Sequence, residues 1–271
     1  MSKAIRKGGT ALITGAGMGI GRAAAIRCAR DGMRLVAVDV MADKLESLSA
    51  EFASFTSANQ FMTLTADIGA PEQVERMIAA CTRQFGAPSF VMNNAVTRAG
   101  KGHDAPLDEW RTAMDVNFWA AVETCRLLVP LMKEKGGAIV NVGSKQGITN
   151  PPGHPIYNIT KAALKTYTEL LEHELRTQEG PPVTAHLLIP GWTTTGEAQH
   201  RPGAWLPDQV VDMMISGVDA GNFYILCPDD ETTADMDRQR ILWGAGDIAE
   251  NRPPLSRWHE DWEAIAKESG T

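Results

Sequence analysis

Hydrophobic and polar positions follow two rhythms along this chain. Short β-branched or wholly apolar runs recur at "TALIT" (10–14), "RLVAVDV" (34–40), "FMTLT" (61–65), "SFVMN" (89–93), "GAIVNV" (137–142), "VTAHLLI" (183–189) and "FYILC" (223–227). They read as seven strands, several apolar on both faces, as in a parallel sheet covered by helices on each side. Between them the apolar spacing is helical, at about 20–31, 42–54, 71–85, 107–133, 156–178 and 207–217. Pro71 suits a first helical turn, and Asp108 suits a helix start. Repeated β-α units on short loops predict an α/β doubly wound Rossmann fold, a seven-stranded parallel sheet with helices on both faces. No linker, repeat or low-complexity segment divides the chain. The expectation is one domain, with a cofactor half at about 8–145, a catalytic and substrate half at about 146–228, and a helical extension at about 229–271.

Composition narrows the function classes. The chain has 271 residues with 44% hydrophobic and 22% charged content, enough for a full core. A net charge of -7 argues against nucleic acid or an anionic membrane as partner. No apolar run approaches the ~20 residues of a membrane span. The basic start "MSKAIRKGG" lacks a signal peptide's apolar stretch, so a cytoplasmic location is expected. Cys28, Cys81, Cys125 and Cys227 are far apart and show no metal-ligand spacing, so no metal site is predicted.

Candidate chemistry starts at "TGAGMGIG" (14–21), at the junction of the first strand and first helix. Gly15 permits a tight turn, Gly19 lets backbone approach a pyrophosphate, and Gly21 allows close helix packing. The helix N-terminus offers free N–H groups to phosphates. Asp39 closes the second strand, where a carboxylate can accept hydrogen bonds from ribose hydroxyls and repel a 2′-phosphate. No arginine immediately follows it, which favours NAD(H) over NADP(H). Asp67, in "TADIG", fits either an adenine contact or a helix cap. Tyr157 and Lys161 stand four residues apart in "IYNITKAAL", one turn of a helix.

In these motifs the chain resembles the classical short-chain dehydrogenase/reductase family, over about 8–228. The TGxxxGxG pattern runs from Thr14 to Gly21. The NNAG motif is "NNAV" (93–96), with Val96 in place of the usual glycine. "DVNFW" carries the family's asparagine as Asn117. "NVGS" (141–144) supplies Ser144, with Gly143 replacing the commoner first serine. "YNITK" is YxxxK, and "PGWTTT" (190–195) is similar to PGxVxT, with Thr193 in place of valine and Thr195 in register. The resemblance implies a tetrad of Asn117, Ser144, Tyr157 and Lys161. It places the cofactor against Gly15, Gly17, Met18, Gly19, Ile20, Gly21, Asp39, Asp67, Ile68, Asn94, Ala95, Tyr157, Lys161, Pro190, Gly191, Thr193 and Thr195.

The expected chemistry is hydride transfer between a secondary alcohol or ketone and NAD(H), with one proton to manage. A free tyrosine titrates near ~10, too high for an efficient base at neutral pH, and an ammonium one turn away favours the phenolate. Ser144 would hold the substrate oxygen near Tyr157. The resemblance gives Lys161 the nicotinamide ribose and Asn117 a water on the proton path. Two other readings stay open. A silent binding module would be signalled by loss of a tetrad member, and none is lost. An enoyl reductase would carry a longer YxxxxxxK spacing, which is absent.

Substrate contacts are expected from Gln146, His154, Trp192 and Trp205, toward a mostly apolar or aromatic small molecule. In the tail, acidic residues at 229–231 precede a helix predicted to end near Gly244. Trp258, Trp262 and Ile265 would form one stripe of a second short helix that docks, and Trp243 would lie near the active-site rim. "NFWAAVETCRLLVPLM" is apolar enough to face a partner subunit, so a homotetramer is expected, with a dimer as the alternative.

Overall fold

A computed structural model describes residues 4–98, 100, 102–196 and 198–271. Met1–Lys3 of the basic N-terminal stretch and Glu197 lie outside the described residues. Seven strands form one parallel sheet in the order β3-β2-β1-β4-β5-β6-β7. They are β1 (Thr10–Thr14), β2 (Arg34–Asp39), β3 (Phe61–Thr65), β4 (Phe90–Asn93), β5 (Gly137–Val142), β6 (Val183–Ile189) and β7 (Tyr224–Leu226). The order reverses between β1 and β4, and open α/β sheets bind ligands at the carboxyl ends of strands at such a switch point.

The helices are α1 (Gly19–Arg30), α2 (Ala42–Ala53), α3 (Pro71–Phe85), α4 (Leu107–Met114), α5 (Ala120–Met132), α6 (Gln146–Thr149), α7 (Pro155–Leu175), α8 (Pro207–Asp219), α9 (Ala234–Ala249) and α10 (Glu263–Glu268). One face of the sheet is covered by α1, α2 and α8 through Ala24, Leu48, Phe52 and Met214. The other is covered by α3, α5 and α7 through Val74, Leu128 and Leu175. Central β1 is buried at every position, which is why it reads as an unbroken apolar run. All four cysteines are buried in these layers, and burial pushes each thiol up to about 12.

Several boundaries differ from the sequence reading for physical reasons. The predicted 107–133 helix is α4 and α5 joined by a π turn at Asp115–Trp119. Its apolar periodicity is continuous, so nothing in the spacing marks the wide turn. α7 stops at Leu175, ahead of Gly180 and the two prolines after it. α9 runs through Gly244 to Ala249, because that glycine keeps helical backbone and nothing crowds it. The Trp258–Ile265 stripe is not one helix: Ser256–Trp258 is a 3-10 turn and α10 begins only at Glu263.

Candidate functional site

The carboxyl ends of the strands open onto one cavity of about 1120 Å³, larger than the ~300–1,000 Å³ typical for a single small ligand. At one end the glycine turn leaves β1. Gly15 adopts φ +66°, and a side chain there would lie 2.7 Å from the Ala95 Cα. A Cβ on Gly21 would sit on the Gly15 carbonyl oxygen. Asn94 clamps the same turn, its amide donating to the Thr14 and Gly15 carbonyls at 3.0 and 3.1 Å. Gly15, Met18, Gly19 and Ile20 line the cavity, whereas Gly17 and Gly21 do not. Both are spent on the turn's own packing. The first turn of α1 carries no side-chain cap, so its N–H groups remain available to an anion.

Asp39 faces this end of the cavity. Its Oδ2 accepts from the Gly17 N–H at 2.8 Å and its Oδ1 from the Met41 N–H at 3.0 Å. Each oxygen keeps a lone pair for a ligand hydroxyl. Asp67, Ile68 and Ala95 line the same stretch, and Asp67 also accepts from the Gly69 N–H at 2.9 Å. Asp39 and Asp67 are the only charged groups among the described lining residues here. Val96, in place of the family glycine, lines the cavity without a left-handed backbone, so the valine is unstrained.

At the other end α7 presents Tyr157 and Lys161 to the cavity, with Ser144 and Gln146 across from them after β5. Lys161 is 3% exposed and donates to the Val142 carbonyl at 2.7 Å, with Nζ 5.8 Å from the Tyr157 ring centre. Burial, and secondarily the Arg98 charge, lowers its pKa to about 7. Arg98 lies over the same ring, 5.2 Å from its centre. Sequence reasoning missed Arg98, because it follows a motif without belonging to it. Ser144 Oγ accepts from the Gln146 N–H at 3.2 Å.

Asn117 sits on the π turn, behind the main cavity. Its amide donates to the Thr97 carbonyl at 2.9 Å and to Thr160 Oγ1 at 3.1 Å, while its Oδ1 accepts from the Thr97 N–H at 2.8 Å. A second cavity of about 10 Å³ lies between Asn117 and Lys161, close to the ~10–15 Å³ that one water needs.

Pro190, Gly191, Trp192, Thr193 and Thr195 complete the wall after β6. Three predicted substrate residues are elsewhere. His154 is an exposed residue just before α7 and is not on the cavity wall. Trp205 packs on the core and donates its indole N–H to Asp230 at 3.1 Å. Trp243 donates to Ser256 Oγ at 2.7 Å and is covered by Arg252 and Trp262, so the extension's own packing holds it off the rim.

Below this wall lies a charged cluster absent from the sequence reading. Lys145, next to Ser144, pairs with Asp229 at 3.3 Å and Asp237 at 2.7 Å. Burial works against the Asp229 carboxylate, but N–H donors from Trp192 and Thr232 and the Lys145 charge outweigh it and hold its pKa below the usual value. At Asp237 burial wins and pushes the pKa up. Among the described residues no helix is long and apolar enough to cross a membrane.

Comparison with known proteins agrees with this geometry. The family model described as short chain dehydrogenase matches residues 9–203. An uncharacterized oxidoreductase of Staphylococcus aureus (strain MRSA252) is 32% identical over 187 residues, covering 68% of this chain and 78% of that protein. A 1-deoxy-11-beta-hydroxypentalenate dehydrogenase of Streptomyces exfoliatus is 28% identical over 270 residues, covering 94% of each chain. A short-chain dehydrogenase/reductase structure from Burkholderia phymatum in complex with NAD superposes with TM-score 0.82 at 27% identity, covering 92% of this chain and 96% of that one. A short-chain dehydrogenase from Burkholderia cenocepacia J2315 in complex with NADP gives TM-score 0.74 at 26% identity, covering 83% and 97%. With the family match running from β1 past the tyrosine helix, on a fold shared with NAD- and NADP-bound relatives, this chain belongs to the short-chain dehydrogenase/reductase family of oxidoreductases.

Proposed function

We propose that the protein interconverts a secondary alcohol and a ketone with NAD(H). The observation that carries this reading is the Tyr157–Lys161 pair on the wall of a cavity whose far end is a glycine turn and a helix N-terminus. The fit to a dinucleotide rests on the uncapped first turn of α1, the close-packed Gly15 and Gly21, and the Asp39 carboxylate facing the cavity. Gly15, Met18, Gly19, Ile20, Asp39, Asp67, Ile68, Ala95, Pro190, Gly191, Thr193 and Thr195 would hold it. When bound, the nicotinamide supplies or accepts the hydride.

The chain's own residues manage position and the proton. Tyr157 gives or takes the proton at the substrate oxygen, and Ser144 holds that oxygen in reach. Lys161, fixed by the Val142 carbonyl, stands beside the ring that carries the developing charge. The water-sized cavity between Lys161 and Asn117 supports a relay that begins at the lysine Nζ. Because the Asn117 amide N–H groups are both committed, that side chain serves mainly to hold the π turn in place. Trp192 and Val96 support an apolar substrate, and the Streptomyces relative, named as a hydroxypentalenate dehydrogenase, supports chemistry at CH–OH.

Assembly through the α5 and α7 faces, as a homotetramer with a dimer as the lesser form, is supported by exposed Trp119, Leu131, Ile159 and Leu170. Light scattering should give four times the 29.3 kDa chain mass. The deciding experiment is NADH formation across aryl, steroid, sugar and hydroxy-acid alcohols. Turnover with at least one secondary alcohol is expected. NADH binding with no turnover on any of them would make the protein a silent nucleotide-binding module.

A further inference from the structure

We infer that Lys145, Asp229 and Asp237 are positioning residues through which the C-terminal extension sets the geometry of the active site. The inference rests on reading Ser144 as the residue that orients the substrate oxygen.

The three groups come from three segments that meet only in the fold. Lys145 follows Ser144 directly. Its carbonyl accepts the N–H groups of Ile148 and Thr149, each at 3.0 Å, so it starts α6. α6 in turn lies against α7 at the lysine: a Cβ on Gly147 would be 2.6 Å from the Lys161 carbonyl carbon. Asp229 follows β7. Its Oδ2 accepts from the Trp192 N–H at 2.9 Å, and its Oδ1 accepts from the Glu231 and Thr232 N–H groups at 3.1 and 2.7 Å. Gly191 is pressed against this pair, since a Cβ there would lie 2.5 Å from Asp229 Oδ2 and 3.0 Å from Lys145 Nζ. Asp237 comes from α9, beyond the residues matched by the family model. It is 4% exposed, and its Oδ2 lies 2.7 Å from Lys145 Nζ.

One cation thus ties the serine loop, the Pro190–Trp192 wall and the extension together. Burying two carboxylates around one lysine is a poor route to stability, since apolar side chains of similar size commonly serve as well. What the cluster does supply is fixed geometry at two loops that both line the cavity. Small displacements of positioning groups cost rate more than binding.

The test compares two variants of the full-length protein. Asp237→Asn removes the charge from α9 at constant shape. Asp247→Asn breaks bonds from Ser256 inside the extension and touches nothing at Lys145. With the best alcohol of the panel, Asp237→Asn should lower kcat about 10-fold with KM and NADH affinity within about 2-fold, and Asp237→Glu should recover part of the loss. Asp247→Asn should leave kcat within about 2-fold. Hydrogen exchange reads the same coupling without turnover. Asp237→Asn should speed exchange at 143–149 and 190–194, whereas Asp247→Asn should speed it only within 234–271. If Asp237→Asn does not fold, Asp237→Glu, which displaces the charge by one methylene, should still speed exchange at 143–149. Wild-type exchange at both loops in the aspartate variants, or equal kcat loss in Asp247→Asn, would overturn the inference. A wild type with no turnover but with coupled exchange would instead refute the alcohol–ketone reading and leave the coupling standing.

Discussion

Tyr157→Phe removes one oxygen and leaves the ring in place near Arg98 and Lys161. Turnover should therefore fall at least ~100-fold while NADH binding, followed by fluorescence, survives. Near-normal turnover would remove Tyr157 from the proton step. Lys161 allows a pH prediction in the cofactor-free protein. Its folded value of about 7 lies below the ordinary 10.5, so the unfolded chain binds more protons between those limits. The cost of burying the ammonium is present in full below about pH 7 and is relieved as pH rises toward 10.5. Lys161→Met should thus gain stability relative to wild type most at low pH, and the gap should shrink as pH rises. Calorimetry from pH ~6 to ~9.5 measures it, and a pH-independent gap would mean the lysine is not desolvated. The same variant should lose turnover, because the cation beside Tyr157 is gone.

At the scale of elements, the Asp39 side chain ties the glycine turn to the end of β2. Asp39 holds the Gly17 and Met41 N–H groups as well as facing the cavity. A 2′-phosphate would bring a second anion against it. Wild-type protein should prefer NAD(H) over NADP(H) by at least ~10-fold in kcat/KM, or ~1.4 kcal/mol per decade. Asp39→Ala frees the Gly17 N–H of the glycine turn and the Met41 N–H after β2, so it should weaken both cofactors and NAD(H) more, narrowing the gap. Equal use of both by the wild type would leave Asp39 only its role in the turn.

For the whole molecule, the extension is the part whose removal is most informative. Residues 247–271 supply Ser256, Arg252 and Trp262, which enclose Trp243, while Asp237 stays on the retained part of α9. Deleting them should lower the melting temperature and alter substrate KM or oligomer size, with NADH affinity nearly intact. The cofactor end is built from β1, β2 and the segments after β3 and β4, which the deletion does not touch. Unchanged melting, assembly and substrate kinetics together would make this segment a surface appendage.

Local chemistry in the sequence determined the strands, the glycine turn and the tyrosine–lysine pair. An apolar run such as "TALIT" commits to a buried strand by composition alone. A tight turn with φ +66° at Gly15 demands glycine wherever it is placed. Residues four apart on a helix share a face before any tertiary contact forms. Other features depended on long-range packing. Lys145 and Asp229 are 84 positions apart, and only the alignment of β5, β6 and β7 brings them together. Arg98 lies over Tyr157 because of a loop path that no periodicity encodes. The π turn interrupts a helix whose apolar pattern is continuous. Trp243 and Trp205 looked like pocket residues by type, but each donates its indole N–H to an acceptor, Ser256 and Asp230, that lies off the cavity wall. Tertiary structure decided where those acceptors stand, and with them which aromatic side chains line the cavity.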